Sequence, residues 1–203
     1  MIACDCHVHV FGSRDTYPQR PDRAYTPGIA SLDTLRRNGA ALGITRFVIV
    51  QASVHGADNS CLLDSLDALD GDGRGVVVVD PKTVAPSTLD DWSRRGARGL
   101  RINLYSDYKA GGSVTDALRN QLRDRFQGLV DIAPDGWHVE VIAPMPFPKQ
   151  CAYAAKLGYD GLEVAPYTFS EEPHRLGSAQ LAAARAAAKD AGVAVTGLHW
   201  LLL

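Results

Sequence analysis

The sequence predicts an α/β chain of parallel β/α units, an incomplete or hybrid (β/α) barrel of the TIM type with about seven parallel strands. Three observations predict it. Short apolar segments alternate with amphipathic ones along the whole chain. Predicted helices run into glycine at Leu42-Gly43-Ile44, Arg95-Gly96-Ala97 and Ala191-Gly192-Val193, as helix C-caps require. The first strand also places polar side chains on one face and apolar ones on the other. The 203 residues suffice for one sizeable core but fall short of the roughly 250 typical of a complete eight-stranded barrel.

The first strand, predicted over 2–11, contains Cys4-Asp5-Cys6-His7-Val8-His9-Val10-Phe11. Strict alternation puts Asp5, His7 and His9 on one face and Cys4, Cys6, Val8 and Val10 on the other. That spacing brings two imidazoles within reach of one metal ion or one anionic substrate. The bland alternative is a pair of histidines hydrogen-bonded inside a core. A helix over 31–42 leads to a strand over 47–52, and a helix over 59–68 leads to a strand over 75–80. A helix over 87–95 then precedes a strand over 99–105, on which Arg101 faces opposite Leu100, Ile102 and Leu104. The long helix 115–132 precedes strand 138–143, on which His138 and Glu140 share a face. Helix 148–157, strand 161–166, helix 178–191 and strand 193–202 complete the series. The alanine runs 182–184 and 186–188 are helix-forming and carry no chemistry. The seventh strand ends in Trp200-Leu201-Leu202-Leu203 with no helix behind it. That leaves an open barrel edge through which copies of the chain would associate.

A formal net charge of −2 offers no electrostatic case for nucleic acid or an anionic membrane as partner. No apolar run approaches membrane-spanning length. Cys4, Cys6, Cys61 and Cys151 form no C-x-x-C pair and follow no signal peptide, which points to a reducing, cytoplasmic setting. On the apolar strand face, Cys4 and Cys6 read as small hydrophobes.

Residues 1 to about 139 resemble the amidohydrolase-related (family 2) hydrolases, and within them the 2-pyrone-4,6-dicarboxylate lactonase group. The resemblance rests on the 5–12 segment, the loop from Tyr17-Pro18 through Arg23-Ala24-Tyr25-Thr26-Pro27, and Phe47-Val48-Ile49-Val50-Gln51-Ala52-Ser53-Val54-His55-Gly56. Asp58-Asn59, Arg74-Gly75-Val76, Arg98-Gly99-Leu100-Arg101-Ile102-Asn103 and Gly136-Trp137-His138-Val139 continue it in family order. It implies that His7 and His9 polarise a scissile carbonyl, either on a divalent metal (zinc or manganese) or by hydrogen bonds with no metal. It implies further that Ser53, Arg101 and Tyr25 bind a small carboxylated substrate. Beyond Arg101 the lactonases carry more basic residues, whereas here the chain reads Ser106-Asp107-Tyr108-Lys109.

From about Glu140 onward, Val141-Ile142-Ala143-Pro144, the segment 151–166 and Gly197-Leu198-His199-Trp200 resemble the opening of a xylose isomerase-like sugar phosphate isomerase/epimerase. On that resemblance residues 140–203 supply β/α units that complete the barrel begun by residues 1–139, with Glu163 and His199 as parts of a sugar-binding wall. The resembled hydrolases activate water with an Asp-His segment on the sixth strand and a Gly-x-Asp-Trp-Pro-like segment on the eighth, and neither stands in this sequence. Water activation then falls to a substitute among His138, Glu140, Glu163 and His199. The expected function is hydrolysis of a lactone or amide-like bond in a small carboxylated substrate. The alternatives are a non-catalytic fused or truncated barrel and an isomerase fragment.

Overall fold

In the computed structural model, residues 3–23, 25–103, 116–142, 146–156, 158–170 and 172–198 are described, without the side chains of 116–122 and of residue 167. Their strands and helices alternate as the sequence predicts: β1 (Ala3–Val8), α1 (Leu32–Ala41), β2 (Ile44–Val50), α2 (Ser60–Leu69), β3 (Gly73–Val77), α3 (Pro86–Arg94), β4 (Ala97–Asn103), α4 (Asp116–Ile132), β5 (His138–Ile142), α5 (Phe147–Lys156), β6 (Gly161–Val164), α6 (Ser178–Ala191) and β7 (Ala194–Leu198). His199, the 104–109 stretch and the apolar end 200–203 lie outside the described residues.

Two compact units share these elements, Met1–Ile142 and Ala143–Leu203. In the first, β1 to β5 form one parallel sheet in sequence order, the wall of an incomplete barrel. In the second, β6 and β7 pair in parallel in a sheet of their own. The boundary between units falls just after β5, so the 139/140 division suggested by the two resemblances lies within a strand of the first unit.

Local chemistry explains the boundaries. Ser31 caps α1 by accepting the Thr34 N–H at 3.3 Å. Pro86 opens α3, where its missing N–H costs nothing. Gly43, Gly96 and Gly192 all adopt positive φ after their helices, as the turns predict. The strands β2 and β3 begin two to three residues before their apolar runs. Ile44 and Arg46 already pair with Ala3 and Cys4, and Gly73 and Arg74 with Phe47 and Val48.

The core of the first unit lies between the sheet and its helices: Phe47, Ile49, Leu62, Leu66, Val77, Leu100, Ile102 and Leu129 are all nearly inaccessible. Close approach depends on small residues. A Cβ on Gly75 would stand 2.7 Å from Leu66 Cδ1 and 2.9 Å from Leu62 Cδ2, so a side chain there would force both leucines of α2 to shift. The second unit has its own smaller core of Phe147, Cys151, Ala154, Val164, Ala188 and Val193. Among the described residues, no helix is long and apolar enough to cross a membrane.

β1 departs from strict alternation. Asp5 pairs with Phe47 but Val8 pairs with Ile49, so three residues of β1 advance against two of β2. The Asp5 carboxylate accepts the His7 N–H at 3.2 Å and closes this bulge. Since paired residues of a parallel sheet point the same way, the shift removes Asp5 from the row of His7 and His9. A second correction concerns the cysteines. Cys4 and Cys6 are exposed, because β1 is an edge strand of its sheet and its first half lies outside the packed core.

Candidate active site

Parallel strands all exit at one edge of their sheet, and in β/α barrels that edge carries the chemistry. Here two consecutive carbonyls at the exit of β2 organise it. The Val50 carbonyl accepts from Nδ1 of His9 at 2.8 Å, and the Gln51 carbonyl accepts from Nη1 of Arg101 at 2.7 Å. One histidine from beyond β1 and one arginine from β4 are thus held on neighbouring peptide units. Those units are themselves fixed. The Gln51 N–H donates to Val76 on β3 at 2.9 Å, and the buried Gln51 amide donates to the Gly56 and Asp58 carbonyls at 3.1 and 2.7 Å. Asn59 adds a further brace, donating to Ala57 and Val78 and accepting the Val78 N–H at 3.0 Å.

A carbonyl oxygen only accepts, so Nδ1 of His9 carries the ring proton. In the neutral imidazole Nε2 is then an acceptor, able to take a proton or bind a Lewis acid. The His7 ring stands edge-on to it, 5.3 Å between centroids at 87°. The row continues through Phe11, 6.1 Å from His9, to His55, 6.3 Å beyond Phe11.

Arg101 is 5 % exposed. Its Nε lies 3.3 Å from Oε1 of Glu140, the residue directly opposite it on β5. Among the described residues, Glu140 is the acid that this cross-strand pair brings to the candidate site. His138 stands apart from it. It begins β5, two residues before Glu140 and therefore about 6–7 Å back along the strand. There its exposed ring covers Gly99, within 2.6 Å of where a Cβ would be.

Ser53 opens a short 3-10 turn, Ser53–His55, straight after β2; it is half-buried, and its hydroxyl makes no hydrogen bond among the described residues. Tyr25 is 39 % exposed in the long loop between β1 and α1. That loop is closed by mutual Phe11–Ala30 backbone bonds at 2.9 Å. It is tied to the Ser53 turn by the Arg20 N–H on Val54 at 2.8 Å and by Nδ1 of His55 on Pro18 at 3.1 Å. Glu163 belongs to β6 in the second unit, beside Gly197.

His55, Gln51 and Asn59 carry this architecture, and sequence reasoning missed them as site residues. The available signal was polarity at the exit of an apolar strand, since buried polar groups there must find backbone partners. His55→Phe keeps the stacking on Phe11 and removes the tether. It is expected to loosen the loop by about 1 kcal/mol, read as roughly five-fold faster tryptic cleavage after Arg23.

Among the described residues no group of three or more His, Cys, Asp or Glu could hold a metal ion. His7 and His9 supply two imidazoles, one short of the three protein ligands of a catalytic zinc site. The described residues therefore do not compose a complete metal site.

Comparison with known proteins decides the family. A sequence model of the family described as Amidohydrolase matches residues 4–199. The chain belongs to the amidohydrolase family. It is 40 % identical over 140 residues to a 2-pyrone-4,6-dicarboxylate hydrolase of Comamonas testosteroni, covering 68 % of this chain and 43 % of that protein. It is 34 % identical over 107 residues to a 4-sulfomuconolactone hydrolase of Hydrogenophaga intermedia, covering 53 % of this chain and 35 % of the relative. This amidohydrolase chain thus spans less than half the length of these relatives. A solved structure from Pseudomonas putida superposes over 98 % of the chain and 83 % of its own, with a TM-score of 0.65 at 24 % identity. A dihydropteroate synthase from Coxiella burnetii reaches 0.50 at 12 % identity over 98 % of this chain and 87 % of its own, which speaks to the fold alone. The family match runs across residue 140. The xylose isomerase-like reading of 140–203 finds no support in these comparisons.

Proposed function

We propose that this amidohydrolase chain hydrolyses the ring ester of a small carboxylated lactone, with His7 and His9 as its reactive pair. The single observation that supports the reading most is the anchoring of His9 and Arg101 on the consecutive carbonyls of Val50 and Gln51. That arrangement sets a proton acceptor and a guanidinium on one rigid edge. Nε2 of His9 takes a proton from water as the water oxygen attacks the lactone carbonyl. The ring C–O bond then breaks, and the same imidazole returns the proton to the departing alkoxide. His7, edge-on beside it, steadies the developing oxyanion. Arg101, fixed at the exit of β2 by Gln51 and Glu140, adds its guanidinium to the edge that a substrate carboxylate approaches, with Ser53 and Tyr25 as hydroxyl donors. Glu140, bound to that guanidinium, acts as its positioning residue. A divalent metal, zinc or manganese, would need a third ligand besides His7 and His9. No step is assigned to His138, Glu163 or His199.

The four free cysteines suit the cytoplasmic setting that we include in this proposal. The outer edge of β1, which no strand covers among the described residues, is where a second copy would pair.

The test is turnover followed by absorbance on three lactones: 2-pyrone-4,6-dicarboxylate, 4-sulfomuconolactone and an uncharged lactone of similar size. A kcat/KM at least about ten-fold higher for an anionic substrate than for the uncharged one is expected, the worth of one charge-assisted contact of about 1.4 kcal/mol. Equal or better use of the uncharged lactone, or no turnover of any, would contradict the reading.

A further inference from the structure

The two cysteines that begin β1 take no part in packing or in the candidate active site. Both are free and exposed, whereas Cys61 and Cys151 are 4 % and 0 % accessible. The thiols of Cys4 and Cys6 fold back along one short stretch of backbone, Cys4 over the Asp5 carbonyl at 3.6 Å and Cys6 over the Cys4 carbonyl at 3.9 Å. Each sulfur thus lies within 4 Å of one of two consecutive backbone carbonyls. Burial first, then the neighbouring Cys6 through charge and a thiol–thiol hydrogen bond, raises the Cys4 pKa, while Arg46 opposite it on β2 pulls the other way. The bulge that follows Asp5 takes this segment out of regular pleating.

We infer that Cys4 and Cys6 form a dithiol clamp for a soft centre that takes two sulfurs, with trivalent arsenic as the ligand class. Soft centres select sulfur over the imidazole and carboxylate ligands nearby. Once one sulfur is bound, the second closes intramolecularly at high effective concentration. The buried cysteines offer no comparable pair. With an organoarsenic(III) oxide the reaction is a condensation. Two S–As bonds form, two S–H bonds and the As=O bond break, and the oxygen leaves as water with both thiol protons. Arsenic stays trivalent and neither sulfur is oxidised.

Phenylarsine oxide is the probe, with intact-mass analysis after a wash in excess 2-mercaptoethanol. One adduct per chain is expected, resistant to the monothiol and stripped by 2,3-dimercaptopropanol. Cys4→Ser and Cys6→Ser are each expected to abolish it, and Cys61→Ala with Cys151→Ala to leave it intact. Tandem mass spectrometry of the unmutated chain locates the arsenic without relying on any variant, and it should lie on the tryptic peptide 1–14. A wash-resistant adduct that survives either serine substitution, arsenic on another peptide, or no resistant adduct at all would overturn the inference.

Discussion

Arg101→Met is expected to lower the unfolding free energy by about 3 kcal/mol, near the lower end of the range for breaking a buried ion pair. The guanidinium is almost wholly inaccessible, and it neutralises Glu140 while satisfying the buried Gln51 peptide. Methionine fills much of the same volume but leaves a carboxylate facing a carbonyl oxygen with no cation between them. Glu140 is 21 % exposed, so water relieves part of this cost and holds the effect below the maximum for a sealed pair. Urea denaturation should show a lower midpoint with an unchanged slope. Removing both charges in Arg101→Met/Glu140→Leu should recover part of the loss, because an apolar pair of similar volume carries no charge-desolvation cost while the Gln51 carbonyl still lacks its donor. A double variant no more stable than Arg101→Met would assign the loss to packing and the Gln51 hydrogen bond rather than to the ion pair.

Phe47→Ala is expected to cost about 3–5 kcal/mol, the range for deleting a buried aromatic ring. Phe47 is 2 % exposed at the start of the apolar part of β2, and α1 passes directly over it. A Cβ on Gly39 would lie 2.7 Å from the tip of the Phe47 ring and 2.8 Å from the Ile44 carbonyl oxygen. There is thus no room even for a methyl group between Gly39 and the ring or the Ile44 carbonyl, so α1 has little freedom to close the space that the ring vacates. Against a total stability of about 5–15 kcal/mol, the loss should be visible as a large fall in thermal midpoint. A fall of under 1 kcal/mol would mean that α1 is not locked to β2 by this contact.

The alternation of strands and helices was legible because it is a local property. Val76 and Val77 announce a buried strand, and Gly43, Gly96 and Gly192 announce helix ends, without reference to anything distant. Strand starts were not legible, because Arg46 and Arg74 belong to strands through hydrogen bonds to neighbours far along the chain. Seven parallel strands are present among the described residues, yet their division into sheets of five and two depends on long-range register. His9 lies just past the end of β1, whereas His7 and Arg101 could be placed on their strands from spacing alone. What each touches could not: Arg101 finds Gln51 across fifty residues of sequence, and His9 finds Val50 across forty-one. The bulge at Asp5 was invisible for the same reason, since alternation in a single strand says nothing of the partner's register.

The central claim is that the imidazoles of His7 and His9 act on the substrate itself. The most direct measurement is kcat/KM for 2-pyrone-4,6-dicarboxylate in the unmutated chain, His7→Ala and His9→Ala, with circular dichroism to verify the fold. A loss of about 10²- to 10³-fold is expected in each variant, the scale of removing one catalytic proton acceptor or oxyanion donor. Folded His7→Ala and His9→Ala that turn over the lactone as fast as the unmutated chain would contradict the account.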